Sequence, residues 1–99
     1  MKQISVTECT QMIQQQKVTI VDIRDPNSFA QGHISGAHHV DNQNIQDFIR
    51  DADLDLPLVV CCYHGHSSIP AAQYLEQQGF KQVYSLDGGM CGWMLSQEL

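Results

Sequence analysis

Apolar residues along this chain recur either at helical spacing or in short unbroken runs. Val6, Cys9, Met12 and Ile13 fall on one helical face. Ser5 and Glu8, just ahead of them, have the spacing of a capping box, so the pattern predicts a short first helix. The run Val18-Thr19-Ile20-Val21-Asp22-Ile23 is β-branched and nearly continuous, which predicts a strand covered on both faces. Asp25-Pro26 then reads as an N-cap followed by proline at the first helical position, opening a short helix that stops by Gly32.

The second half repeats the alternation. Ala37 to Val40 predicts a short strand, and Asn42 to Arg50 a helix with Ile45, Phe48 and Ile49 on one face. Pro57-Leu58-Val59-Val60-Cys61-Cys62 is the strongest strand signal: apolar, continuous and bounded by proline. A helix carrying Ala71, Ala72, Leu75 and Gln78 follows, with Gly79 as its stop. Gln82 to Leu86 predicts the last strand, and Asp87-Gly88-Gly89 turns the chain into a final helix containing Trp93. Strands alternating with helices imply an α/β fold with parallel strands joined by right-handed crossovers. In such sheets ligands gather outside the carboxyl ends of the strands. The polar segment after Cys62 lies at such an end.

Composition narrows the picture. The chain has 99 residues, 42% hydrophobic and 16% charged, which is the make-up of one globular domain over 1–99. Its formal net charge of −6 opposes general binding to nucleic acid or an anionic membrane, both of which need a basic face. There is no apolar run of membrane-spanning length, and the first residues lack the apolar stretch of a secretory signal. A soluble, cytoplasmic protein is therefore expected. The four cysteines form no C-x-x-C pair and are too few for the disulfide framework of a small secreted domain. At least one of them is a candidate for chemistry.

Cys62-Tyr63-His64-Gly65-His66-Ser67-Ser68 joins the end of a buried strand to the start of a helix within a few residues. Successive N–H groups in so tight a curl point inward and form an anion-binding hollow. The helix N-terminus adds unsatisfied N–H groups and partial positive charge at the same place. A cysteine at its mouth has its thiolate stabilised and its pKa lowered. Gly65 permits a positive φ in the curl, and the two serines can cap the helix or donate hydroxyls. The competing reading, a merely buried strand cysteine, fits poorly with the polar, tightly turned flank.

Two further blocks carry a family likeness. One runs from Val21-Asp22-Ile23-Arg24-Asp25 through Phe29 to Gly32-His33-Ile34-Ser35-Gly36-Ala37. The other is Asp87-Gly88-Gly89-Met90-Cys91-Gly92-Trp93. With the cysteine loop and the Ala71-Ala72-Gln73-Tyr74-Leu75 that follows it, the chain resembles the rhodanese-homology domain family, most closely its GlpE-type single-domain sulfurtransferases. The blocks span nearly the whole chain in the family's order.

The resemblance implies a rhodanese-like single domain, with a five-stranded parallel sheet flanked by helices on both faces. It implies that the Cys62 thiolate takes the outer sulfur of thiosulfate, releases sulfite and becomes a persulfide. That sulfur then passes to cyanide or to a thiol such as reduced thioredoxin. Tyr63, His64, Gly65, His66, Ser67 and Ser68 would bind the substrate and the persulfide, with no metal and no organic cofactor.

The chain departs from that branch at Ile69-Pro70, where a basic residue is expected to attract the anionic donor. His64 or His66, when protonated, is the available substitute. Pro70 biases Ile69 away from helical geometry, so the helix is expected to begin a residue late. Gly92 beside Cys91 is expected to leave the last helix short or frayed, with Cys91 in packing. Cys61 reads as the inward neighbour of Cys62, because strand residues alternate faces.

Several rival readings share these residues. A phosphatase or arsenate reductase would need an arginine to clamp its anion, and neither Arg nor Lys occurs between Cys62 and Gly79. A non-catalytic or persulfide-carrier domain serving a partner protein is the alternative from another class. Metal binding by His64 and His66 is disfavoured, since i, i+2 neighbours on a tight loop rarely converge on one ion. Asp22, Arg24 and Asp25 read as an ion-pair and capping network, with a general acid–base set as the competing role; Arg24 is also a candidate to face the loop. His33 is expected to be hydrogen-bonded scaffold, and Trp93 packing.

Overall fold

The computed structural model describes residues 1–97. Five strands and five helices alternate: β1 (Lys2–Ile4), α1 (Val6–Gln15), β2 (Thr19–Asp22), α2 (Pro26–Gln31), β3 (His38–His39), α3 (Ile45–Asp51), β4 (Leu58–Cys61), α4 (Ser68–Gln77), β5 (Val83–Leu86) and α5 (Gly89–Gln97). The strands form one parallel sheet in the order β1-β5-β4-β2-β3. β4 is central and all four of its residues are buried, as its unbroken apolar run requires.

Alternation along β4 divides the core in two. Val59 and Cys61 point into a layer with Ile4, Cys9, Ile20, Ile34, Leu86 and Met90, against which Val6, Met12 and Trp93 pack from α1 and α5. Leu58 and Val60 point the other way, to Val21, Val40, Ala72, Leu75, Phe80 and Val83, with Ile45, Phe48 and Ile49 of α3 behind them. Helices therefore cover both faces.

Local chemistry sets the helix ends. At α1 the Glu8 amide donates to Ser5 Oγ (3.0 Å) and the Ser5 amide to Glu8 Oε1 (3.1 Å), completing the capping box. At α2 the Ser28 amide donates to Asp25 Oδ1 at 2.9 Å, with Pro26 at the first helical position.

Four features differ from the sequence reading. β1 escapes it because the strand is three residues long with only Ile4 buried, and its partner β5 lies at the other end of the chain. α4 begins at Ser68, not later, because proline as its third residue occupies a position whose N–H has no partner within the helix. α5 runs unbroken through Gly92, whose amide donates to Gly88 O at 3.0 Å. There α5 lies against α1: a Cβ on Gly92 would sit 3.9 Å from Val6 Cγ2. Cys91 is exposed rather than packed.

Candidate active site at the end of the central strand

Cys62 directly follows β4 and is 3% exposed. Beside it, Asp22 of β2 is in register with Cys61. The turn back into α4 needs Gly65, which has φ +92°; a Cβ there would come within 2.9 Å of Gly88 N and 3.1 Å of Leu86 O.

The start of α5 holds the outer side of this curl. Met90 N–H donates to the Cys62 carbonyl at 2.7 Å and Cys91 N–H to the Tyr63 carbonyl at 2.9 Å. With those carbonyls occupied on one side, N–H groups remain for the other. Gly89 makes the approach possible: it has φ +56°, and a Cβ would fall 2.5 Å from Cys62 O. The Gly-Gly of the last block is thus a structural partner of the cysteine loop.

Inside the curl, Gly65 N–H and Ser68 N–H donate to Cys62 Sγ at 3.2 and 3.3 Å. Ser68 Oγ lies 3.3 Å from the same sulfur and 2.7 Å from Ser85 Oγ. Burial pushes the Cys62 thiol up, but hydrogen bonds from the Ser68 hydroxyl and the Ser68, Gly65 and His64 amides outweigh it and hold it below an ordinary thiol. The other two buried cysteines behave oppositely. Burial pushes Cys9 up to about 11 and Cys61 higher still, and Cys61 S–H donates to Val21 O at 3.3 Å.

Tyr63, His64, His66 and Ser67 form the exposed rim. The Tyr63 hydroxyl donates to the Asp25 carboxylate and lies 2.9 Å from Ser28 Oγ, tying the rim to α2. His64 and His66 make no side-chain hydrogen bond among the described residues. Ser67, at the N-cap of α4, makes no side-chain capping bond. Ser68, the first residue of α4, instead turns its hydroxyl inward.

Arg24 is not a free cation. Its guanidinium makes a buried pair with Asp22 (Nη2 to Oδ2 2.8 Å, Nε to Oδ1 3.0 Å) and donates to Gly32 O at 2.7 Å. The bond to Asp22 raises its pKa, and its Cζ stands 5.9 Å from the Tyr63 ring centroid. Asp22, Arg24 and Asp25 therefore form an ion-pair and capping network behind the site. His33 stacks on Phe29 (centroids 3.8 Å) and pairs through Nδ1 with Phe29 O at 2.7 Å, as scaffold.

Among the described residues, no three His, Cys, Asp or Glu side chains converge as metal ligands, and no helix is long and apolar enough to cross a membrane. A groove of about 530 Å³, lined by His38, His39, Asn44 and Phe48 among others, includes no residue of the cysteine loop.

The Rhodanese-like domain family matches residues 5–96. The chain belongs to that family. It is 58% identical over 92 residues to the thiosulfate sulfurtransferase GlpE of Shewanella oneidensis, covering 93% of this chain and 91% of that one. With the protein of the same name from Pseudomonas fluorescens it shares 59% identity over 86 residues, 87% of this chain and 79% of the relative. Among solved structures, a rhodanese-like domain protein from Staphylococcus aureus superposes with a TM-score of 0.82 at 29% identity, covering 94% of this chain and 91% of the other. This rhodanese domain thus shares both the fold and, with the two sulfurtransferases, most of its sequence.

The sequence reading missed Ser85 as a neighbour of the site. Its one signal is a hydroxyl residue in the otherwise apolar run Val83-Tyr84-Ser85-Leu86.

Proposed function

We propose that this rhodanese domain is a thiosulfate sulfurtransferase in which Cys62 carries the sulfur as a persulfide. The observation that supports it most is the Cys62 sulfur held by two backbone amides and a hydroxyl, with its thiolate favoured. The names of the relatives that are 58% and 59% identical over the aligned residues point the same way.

In the first half-reaction the Cys62 thiolate attacks the outer sulfur of thiosulfate in line with the S–S bond. That bond breaks with its electron pair leaving on sulfite, and a Cys62 Sγ–S⁻ persulfide forms. The amides from Tyr63 to Ser68 receive the negative terminal sulfur, a charge that develops where N–H donors are already oriented. In the second half-reaction a nucleophile, cyanide or the thiolate of an acceptor such as reduced thioredoxin, attacks the terminal sulfur. The S–S bond breaks, its electron pair returns to Cys62, and the thiolate is restored. The sulfur is transferred without net oxidation or reduction of Cys62, so the cycle calls on no redox cofactor. A reducing compartment such as the cytoplasm keeps this thiol available.

Steady-state thiocyanate formation from thiosulfate and cyanide tests the reading. Wild-type protein turns over, and Cys62→Ser falls to the uncatalysed rate while Cys61→Ser retains activity. Equal activity in wild type and Cys62→Ser would remove Cys62 from the reaction.

A further inference from the structure

Ser85 is 1% exposed and Ser68 fully buried, and each lies on an element that the other must approach: Ser85 on β5, Ser68 on the first turn of α4. Their hydroxyls are 2.7 Å apart, and Ser68 Oγ continues to Cys62 Sγ at 3.3 Å. Among the described residues Ser68 Oγ is the only hydrogen-bond partner of Ser85 Oγ. The result is a linear chain of two contacts ending on the reactive sulfur.

Each serine hydroxyl carries one proton. With Cys62 as thiolate, two protons serve the two contacts: Ser85 O–H donates into Ser68 Oγ, and Ser68 O–H donates into Sγ. With Cys62 as neutral thiol, three protons face the same two contacts, and one is left without an acceptor in a buried place. The direction of the chain is therefore matched to negative charge on sulfur. Ser85 also polarises the Ser68 hydroxyl, since a hydroxyl that accepts a hydrogen bond becomes a better donor.

We propose that Ser85 is a positioning residue, whose buried hydroxyl fixes the Ser68 hydroxyl as a hydrogen-bond donor to the Cys62 sulfur. It acts through Ser68 and touches neither sulfur nor substrate. The inference concerns the ionisation of Cys62 alone and stands apart from which sulfur donor the protein uses. The other titratable groups on the surrounding elements are Asp22 at the end of β2, paired with Arg24 just beyond it, Cys61 beside Cys62, Tyr63, His64 and His66 on the loop, Tyr74 and Glu76 on α4, Tyr84 on β5 and Asp87 after it. All of them are kept constant in the test.

The test is the pH dependence of Cys62 alkylation by iodoacetamide, in reduced protein carrying Cys91→Ser to remove the exposed thiol. Ser68→Ala raises the midpoint by about one pH unit, the loss of a hydrogen bond to a charged group. Ser85→Ala raises it by about half a unit, a roughly threefold slower reaction below the midpoint. In the Ser68→Ala background, Ser85→Ala produces no further shift, because the effect is transmitted through Ser68. Ser85→Thr and Ser85→Val have the same shape but differ in the hydroxyl; Thr keeps the lower midpoint and Val does not. This pair separates the hydroxyl from packing even if Ser85→Ala folds poorly. An unmoved midpoint in Ser85→Ala and Ser85→Val, or the same shift with and without Ser68, would overturn the proposal.

Discussion

At Cys62 two opposing effects meet, desolvation against hydrogen bonding, and the hydrogen bonds win. That outcome depends on a curl whose shape is fixed by glycines with positive φ. Gly89 is the most demanding of them, because an added Cβ would meet Cys62 O at 2.5 Å and Tyr63 C and O at 2.6 Å, all backbone atoms. Gly89→Ala should therefore destabilise the fold by about 1–3 kcal/mol from backbone strain alone. It should also push the loop off Met90 N–H, and thiocyanate formation should drop more than tenfold; an active Gly89→Ala would show that α5 does not shape the loop. Ionisation of Cys62 also couples to stability. Its folded-state pKa is lowered, so this contribution is fully present above the unfolded thiol's value and is lost as pH falls through the folded one. Denaturant unfolding of wild type and Cys62→Ser at several pH values should show the wild-type advantage growing with pH across that window. A constant difference would contradict it.

Among the elements, those with dense local signals were legible in the sequence. The capping box of α1, the Asp25-Pro26 start of α2 and the apolar run of β4 each combine side-chain chemistry with spacing, and each forms as read. The loop from Cys62 to Ser68 was legible for the same reason: a buried strand, a glycine and a helix start leave few ways to turn. What stayed hidden depends on contacts remote in sequence. β1 is defined by pairing with β5, the clasp on the loop carbonyls comes from α5, and Ser85 meets Ser68 only through the packing of α4 on the sheet. At Pro70 the bias on the preceding residue gives way: Ile69 is helical, because proline in the first turn lacks only an N–H that would have no partner there. Helix capping has a measurable worth here. Ser5→Ala removes the acceptor for Glu8 N–H, and should cost about 1 kcal/mol. For a domain of this size that lowers the melting temperature by about 4–8 °C. A thermal scan showing no change would mean that α1 is held by its packing alone.

Across the whole molecule, charge is distributed against the chemistry proposed. Of the five basic residues, Lys2, Lys17 and Lys81 lie at the amino ends of β1, β2 and β5, and Arg50 pairs with Asp47 and Asp51 on α3. Only Arg24 stands at the carboxyl end near Cys62, and Asp22 holds it. With a net charge of −6 and Arg24 paired, the anionic donor of the proposed reaction would meet backbone N–H groups at the loop rather than a fixed side-chain cation. Ile69→Lys should therefore lower KM for thiosulfate about fivefold at low salt with kcat little changed, and added salt should erase the gain. An unchanged KM would show that the rim does not limit donor capture. Whether Cys62 carries the transferred sulfur is decided by the intact mass of reduced protein before thiosulfate, after it, and after cyanide. Wild type should gain one sulfur atom that cyanide removes as thiocyanate, and Cys62→Ser should gain none. A sulfur adduct that survives in Cys62→Ser, or none in wild type, would contradict it.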